Sequence, residues 1–520
     1  MEVHSETMDL ALRAQLLVLK LHLLAIVYHE LKKGIGHLHP FLTNCHQLID
    51  NAVSHFGHTD EPFAFNICGV TIYGLSRPED VTDILDGASW THGMDFEFFV
   101  FEVMQKFGVS PEEVERAKHT PKPGDALYIE NDSSNPRHLS LIHFVQDLYK
   151  KQLLDSTNLD RMSKAFSSCL LEKLTSEHLD LYRGYPGSIG PAPSSAGREI
   201  SLYSLVTRSM VDATLRCFFG PYLHEFEPDI VDQAIQFNTH AWILFYGLPD
   251  FFGYAPVCGP RDKLRAALRA FISLPEEQRS EQCLAFKHLL RRMEVMEMDM
   301  ESRVGLLFLF FFASIANEQV ACFWFMAHIV YDKELLDIAR KEIEPAWQSG
   351  ELDVKYLTSK CPGIDSVFNE MLRQRTNTFG WRIMKEKTVI RGKELLPGTP
   401  VLIPIRVLHT NQRVWGSDVE EFNTARFVKK TAARQPYYRP FAGGPTFCPG
   451  RVLAKRETYA FLAILLRRFD VKLLPSPGSP NGKQAFPLME TLRPPTGVKG
   501  PRPDMDLFLS LDERISEKQT

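Results

Sequence analysis

The sequence predicts a mainly α-helical fold with small β-sheets, built as one large domain. Three observations carry this expectation. From about residue 139 to residue 345 apolar side chains recur at helical spacing almost without interruption. Two short stretches, 62–72 and 386–406, alternate as strands do and carry turn residues. Finally, 520 residues that are 44% hydrophobic, with 36 Phe among them, can bury a large core and line an apolar pocket.

Residues 10–28 are apolar and long enough to span a bilayer. Arg13, Lys20 and His22 interrupt them, and charges near a helix centre are costly in lipid. The opening Met-Glu-Val-His-Ser-Glu lacks the basic region of a secretory signal. Residues 1–35 are therefore expected to form a membrane anchor or an interfacial helix, and residues 36–520 the folded domain. In 62–72 two strands should flank Cys68-Gly69, and Ser76-Arg-Pro-Glu-Asp80 should open a helix through Leu85. Residues 118–138, rich in Pro, Gly, Asn and Ser, read as a surface loop. The helical region is broken at 184–197 and at Gly247-Leu-Pro249. Within it, 304–331 reads as one long helix. Its length suits a membrane span, but Asn317-Glu-Gln319 at its centre favours a core helix, apolar on all sides. Pro397-Gly398 marks the turn in 386–406.

A net charge of -5 and a pI near 6.4 give no footing for nucleic-acid binding. The nine cysteines are scattered, with neither a C-x-x-C pair nor zinc-like spacing, which points to a reducing compartment and leaves Cys448 free to act as a ligand.

Cys448 lies in Pro440-Phe-Ala-Gly-Gly-Pro-Thr-Phe-Cys-Pro-Gly-Arg451, ahead of a long apolar helix. Pro449 suits a first helical position, and Gly443, Gly444 and Gly450 let a flat ligand approach the main chain. A sulfur at a helix N-terminus is favoured as a thiolate, with Phe441 and Phe447 expected to keep water away. A shielded thiolate beside a flat surface suits axial ligation of heme iron. The alternative is a buried structural cysteine.

The order Phe441, Gly444, Cys448, Gly450 resembles the heme-binding signature of the cytochrome P-450 heme-thiolate enzymes, with Thr446 where that family usually has a basic residue. Glu370 and Arg373 share one helix face at i and i+3. They precede Cys448 by 78 residues, and Arg426 lies between them and the cysteine. This is similar to the family's proximal charge triad, although Thr-Ala-Arg426 replaces the usual Pro-Glu-Arg. The same E-x-x-R spacing at Glu113…Arg116 and Glu276…Arg279 reads as solvated charge. The resemblance implies that Arg382 meets a heme propionate, with a surface arginine as the alternative. His409 reads as a structural histidine.

At 131 residues before the cysteine, Ala313-Ser-Ile-Ala316-Asn317 stands where the family runs its distal helix. The family's usual acid and alcohol, which pass protons during oxygen activation, are absent there. The string is similar to the branch that holds bile-acid sterol hydroxylases and prostacyclin synthase. Asn317, Ala313 and Glu318 are thus the distal candidates, with Glu318 an alternative proton path. The resemblance implies heme as cofactor and a monooxygenase that oxidises a lipophilic substrate (sterol, terpenoid or other secondary metabolite) with O2 and NADPH electrons from a reductase. An isomerase or dehydratase working without external electrons is the second reading, and a non-enzymatic helical membrane or binding protein the third. Lys455, Arg456, Arg467, Arg468, Lys429 and Lys430 form either a docking face for an acidic electron donor or a plain solvated face. Phe96, Phe98, Phe99, Phe245, Phe379 and Trp381 are candidates for an apolar substrate pocket, and the expected location is the cytosolic face of the endoplasmic reticulum membrane.

Overall fold

Short polar side chains between the apolar runs set where the helices begin. Ser140 accepts from the His143 N–H ahead of α1 (Leu141–Leu153), and Asp155 accepts from Thr157 and Asn158 ahead of α2 (Ser156–Lys173). Ser201 caps α3 (Leu202–Phe219) through Ser204. After α4 (Ile230–His240), Asp299 caps α5 (Met300–Ile315) through Ser302. Each cap satisfies an N–H that the helix itself leaves without a partner. The computed structural model describes residues 36–514 apart from 56, 58–60, 87–92, 133–134, 184–198, 249–254, 349, 430 and 477–481. The expected anchor at 1–35, the break at 184–197 and Pro249 lie outside the described residues.

Helix α6 (Glu318–Tyr331) continues the line of α5, and every residue from Gln319 to Val330 is buried. The stretch Met300–Tyr331 is long and apolar enough to cross a membrane, but here it runs through the core, as Asn317-Glu-Gln319 implied. It does so as two helices, which corrects the single helix expected. The break falls at Ala316–Asn317, where a side chain from α4 takes a helix carbonyl and the Asn317 side chain is drawn to another segment. Asn238 Nδ2 on α4 donates to the Ala316 carbonyl at 3.1 Å, and Asn317 Oδ1 accepts the Val498 N–H at 2.7 Å.

The phenylalanines concentrate around α5. Phe308 lies 4.8 Å from Phe237 and 5.3 Å from Phe107 between ring centroids, and Phe312 lies 5.4 Å from Phe245. Tilted and edge-on pairs of this kind add roughly 0.5–1.5 kcal/mol each beyond the apolar area they bury. Helix α7 (Pro362–Arg375) carries the E-x-x-R pair, and α8 (Arg451–Arg468) follows Cys448.

The strands in chain order are β1 (Phe63–Ile67), β2 (Val70–Gly74), β3 (Met94–Asp95), β4 (Ile200–Ser201), β5 (Trp347–Gln348), β6 (Glu351–Leu352), β7 (Thr376–Asn377), β8 (Phe379–Met384), β9 (Thr388–Ile390), β10 (Lys393–Leu395), β11 (Pro400–Pro404), β12 (Phe469–Leu473), β13 (Gly497–Val498) and β14 (Phe508–Glu513). The main sheet runs β1-β2-β11-β8-β3. β1 and β2 join through Cys68 and Gly69, both at positive φ (50 and 84), the backbone a tight hairpin demands. β11 joins β2 in parallel, with Val401 opposite Tyr73. A second sheet runs β12-β14-β4, and β5-β6, β9-β10 and β13-β7 form two-stranded pairs. The last pair, with Gly497 opposite Asn377, brings the C-terminal part of the chain to the break between α5 and α6.

Two local expectations are corrected. Residues 405–406 belong to a short helix, Ile405–His409, rather than to the strand region. The extra E-x-x-R pairs are not plain solvated charge. Glu113 is buried and receives Arg116 at 2.7 Å. Arg279 is also buried and donates to the Leu274 carbonyl at 2.9 Å. Helical spacing alone does not reveal which face the neighbouring elements cover.

Candidate functional site

Phe441–Gly450 folds as a tight loop closed by the Cys448 N–H donating to the Phe441 carbonyl at 3.0 Å. Gly444 holds φ 55, and a Cβ there would stand 1.7 Å from the Leu85 carbonyl oxygen. Only glycine fits this contact. Gly444→Ala is expected to lower stability by about 1–3 kcal/mol and to loosen heme retention; thermal unfolding and heme content of the purified variant measure both.

The Cys448 sulfur accepts hydrogen bonds from the Gly450 and Arg451 N–H groups at the start of α8, and the Arg451 charge lies nearby. Burial nevertheless outweighs these groups and pushes the thiol up. The loop alone therefore does not make the expected thiolate; a bound cationic metal has to supply the missing charge. Phe441 lines the cavity in front of the sulfur. Phe447 does not shield it, being 43% exposed beneath the Arg451 guanidinium.

A cavity of about 380 Å³ opens beside Cys448. It is lined by Phe441, Ala442, Thr446, Cys448 and Gly450 from the loop and by Ala313, Asn317, Glu318 and Ala321 from α5, the break and α6, together with Thr378 and Val498. Loop and broken helix thus face each other across a largely apolar space. Among the described residues no cluster of His, Cys, Asp and Glu could hold a bare metal ion. A single sulfur facing an apolar cavity fits instead a metal that brings its own equatorial ligands, as heme iron does.

Glu370, Arg373 and Arg426 come together behind this loop rather than at the cavity. Glu370 and Arg373 are fully buried and joined twice, at 2.8 and 2.7 Å. Arg373 also donates to the His409 and Val419 carbonyls, both at 2.8 Å. Arg426 stands 3.5 Å from Glu370 and binds Asp418 more closely, at 2.6 Å. Asp418 is a partner the sequence reading missed. His409 is buried, and its Nε2 accepts the Arg439 N–H at 2.9 Å. Burial and the Arg373 charge depress its imidazole to about 3, so it stays neutral. Arg382 is not a surface arginine: it is 8% exposed, lies over the Phe96 ring, and donates to Thr446 Oγ1 at 3.0 Å. A guanidinium thus reaches the loop position where a basic residue is absent from the sequence.

On the distal side Asn317 has its carbonyl oxygen engaged by Val498, and only its amide N–H donors remain. A Cβ on Gly497 would stand 1.7 Å from that oxygen, so the close approach requires glycine. Glu318 is half-buried on the cavity wall. Burial raises its carboxyl to about 7, and the folded chain therefore holds this proton more tightly than the unfolded chain does. Stability from this source is complete below the ordinary carboxylate range and is lost as pH rises through about 7. Glu318→Gln is expected to flatten this part of the pH–stability curve, measured as melting temperature against pH.

A family model described as Cytochrome P450 matches residues 193–498, more than half of the chain. The chain belongs to the cytochrome P450 family. It is 23% identical over 506 residues to the cytochrome P450 monooxygenase calL of Penicillium decumbens, covering 91% of this chain and 90% of that protein. It is 22% identical over 374 residues to the cytochrome P450 monooxygenase nodJ of Hypoxylon pulicicidum, covering 66% and 71%. A shorter match, 32% identical over 172 residues, links it to cytochrome P450 734A5 of Oryza sativa subsp. japonica, covering 32% of each chain. Membership makes this chain an oxidoreductase of the monooxygenase kind with a thiolate-ligated heme, and such enzymes generally take electrons from a redox partner and bind lipophilic substrates.

In this cytochrome P450 the cations on α8 do not form a free docking patch. Lys455 pairs with Asp365, Arg456 with Asp160 at 2.7 Å, and Arg467 with Glu344 at 3.2 Å. Arg468 donates to the Leu174 carbonyl at 2.7 Å. Lys429 is exposed, and Lys430 lies outside the described residues. Of the aromatic pocket candidates, Phe98 is 44% exposed. Phe96, Phe99 and Phe245 pack one after another with tilted rings, and Phe379 packs edge-on to Trp381. None of the six lines the cavity beside Cys448, whose aromatic walls are Tyr149, Phe218, Phe368 and Phe441.

Proposed function

We propose that this cytochrome P450 is a heme-thiolate monooxygenase in which Cys448 is the axial ligand. The observation that carries the reading is the placement of Cys448 across an apolar cavity from Ala313 and Asn317. When bound, the heme supplies the oxygen-activating redox chemistry, tuned by the electron-rich thiolate. The residues around it bind, orient and exclude water. Phe441 and Gly450 shape the sulfur's surroundings. Gly444 fixes the loop, and Glu370, Arg373 and Arg426 brace it from behind. Arg382, held by Thr446, offers its charge to a propionate. Asn317 holds the distal break to β13, and Glu318 is the half-buried acid on that wall that can hold or move a proton.

The substrate is lipophilic, a sterol, terpenoid or other secondary metabolite, and the electrons come from NADPH through a reductase at the endoplasmic reticulum membrane. The mainly apolar cavity supports the substrate class, and the string from Ala313 to Asn317 supports the sterol-hydroxylase/prostacyclin-synthase branch. The amide at 317 is the one feature that favours isomerisation without external electrons, while the half-buried acid beside it favours oxygen use. Turnover of a lipophilic library with reductase, NADPH and isotopically labelled O2 separates these readings. One labelled oxygen atom in the product is expected. Product formed without reductase and without label would overturn the reading.

A further inference from the structure

The break between α5 and α6 is held from two sides by hydrogen bonds that come from separate parts of the chain. From α4, Asn238 Nδ2 donates to the Ala316 carbonyl at 3.1 Å. From β13, the Val498 N–H donates to Asn317 Oδ1 at 2.7 Å. The helical ladder is intact on either side: the Ala316 N–H reaches the Phe312 carbonyl at 2.9 Å, and the Ala321 N–H reaches the Asn317 carbonyl at 3.0 Å. Between them, the Ala316 carbonyl takes the Asn238 amide in place of the Val320 N–H that a continuous helix would offer it. Asn317 accordingly sits at φ -118, far from the value of about -63 that a helix holds. Asn317 lines the cavity, and with Oδ1 engaged by Val498 its amide N–H donors are the polar atoms it can turn toward an occupant.

We propose that Asn238 is a positioning residue: by taking the Ala316 carbonyl it keeps the helix broken, and the break holds Asn317 in the orientation that presents its amide to the cavity. The position of α4 thereby reaches the distal wall through one hydrogen bond. The ladder bond to Val320 and the bond to Asn238 both end on the same carbonyl and are of similar worth. Removing the second tips the balance to the first: the carbonyl returns to Val320, the helix closes, and Asn317 rotates away from Val498. Packing does not do this work. The neighbouring Phe237 lies 4.8 Å from Phe308 and 5.8 Å from Phe312 between ring centroids, so α4 and α5 stay together whether or not Asn238 donates. The role of Asn317 toward a bound occupant rests on the heme-thiolate reading above, whereas the link from Asn238 to Val498 needs no heme.

The test uses the purified full chain. Asn238→Leu removes the donor and keeps a branched side chain of similar shape. Hydrogen exchange at the Val498 N–H, followed by NMR or mass spectrometry, is expected to quicken about tenfold in this variant, although Val498 is not the group that Asn238 holds. In the heme-loaded protein, the C–O stretch of the ferrous–CO complex is expected to shift to the value that Asn317→Leu produces. The double variant should move it no further, because both substitutions act on one arrangement. Should leucine impair folding, Asn238→Asp keeps the shape and offers only acceptors, and the same changes are expected of it. Native exchange at Val498 in these variants, or C–O shifts from residues 238 and 317 that add in full, would overturn the proposal. A lower melting temperature with neither change would overturn it as well, leaving Asn238 a packing role alone. Native protein that binds no heme would instead fail the heme-thiolate reading, and the exchange measurement would still decide the link.

Discussion

Cys448→Ala yields folded protein that has lost reductase-dependent turnover and retains heme weakly. Cys448 is the one cysteine on the cavity wall, no histidine lines it, and no His, Cys, Asp or Glu cluster among the described residues stands ready to replace it. The loop itself survives the change, since its closing bond runs from the Cys448 backbone N–H to Phe441 and needs no side chain. Gly444 keeps its contact with Leu85 for the same reason. Loss of activity without loss of fold is therefore the expected pattern, read by circular dichroism beside heme content and turnover. A variant that keeps full turnover would mean that another group ligates the metal.

The second large effect lies behind the loop. Glu370→Ala is expected to destabilise the protein by about 3–5 kcal/mol, because it leaves the Arg373 charge buried without its counter-ion. Arg373 is fully buried, and its remaining partners are the neutral His409, Val419 and Glu421 carbonyls and the Trp415 ring. Arg426→Ala should cost markedly less. Arg426 stands 3.5 Å from Glu370, and the partner it leaves more directly, Asp418, is 38% exposed and can turn to solvent. Denaturant unfolding of the two variants side by side measures the difference. Equal losses would show that all three charges act as one unit, rather than as a buried pair with a peripheral partner.

How much of this was readable in the sequence depends on how far apart the interacting residues lie. The Cys448 loop was readable because its demands are local: a glycine at positive φ and a sulfur just ahead of a helix fall within a few residues, although Pro449 precedes the N-cap Gly450 instead of taking the first helical position expected of it. The E-x-x-R pair was readable for the same reason, as residues at i and i+3 must share a face. The break between α5 and α6 was not. Its causes, Asn238 and Val498, lie 78 and 181 residues from their partners, and local periodicity across 304–331 reads straight through it. Gly497 gave no signal at all, since its need for hydrogen as a side chain comes from Asn317. Phe447 was misread because aromaticity does not say which face of a loop is covered.

The ferrous–CO difference spectrum of the purified full chain bears most directly on the assignment of Cys448 as the ligand of a thiolate-bound heme. Near-stoichiometric heme and the red-shifted band of thiolate ligation are expected, both lost in Cys448→Ala. Protein without bound heme, or heme whose band lies where a nitrogen ligand puts it, would contradict that assignment.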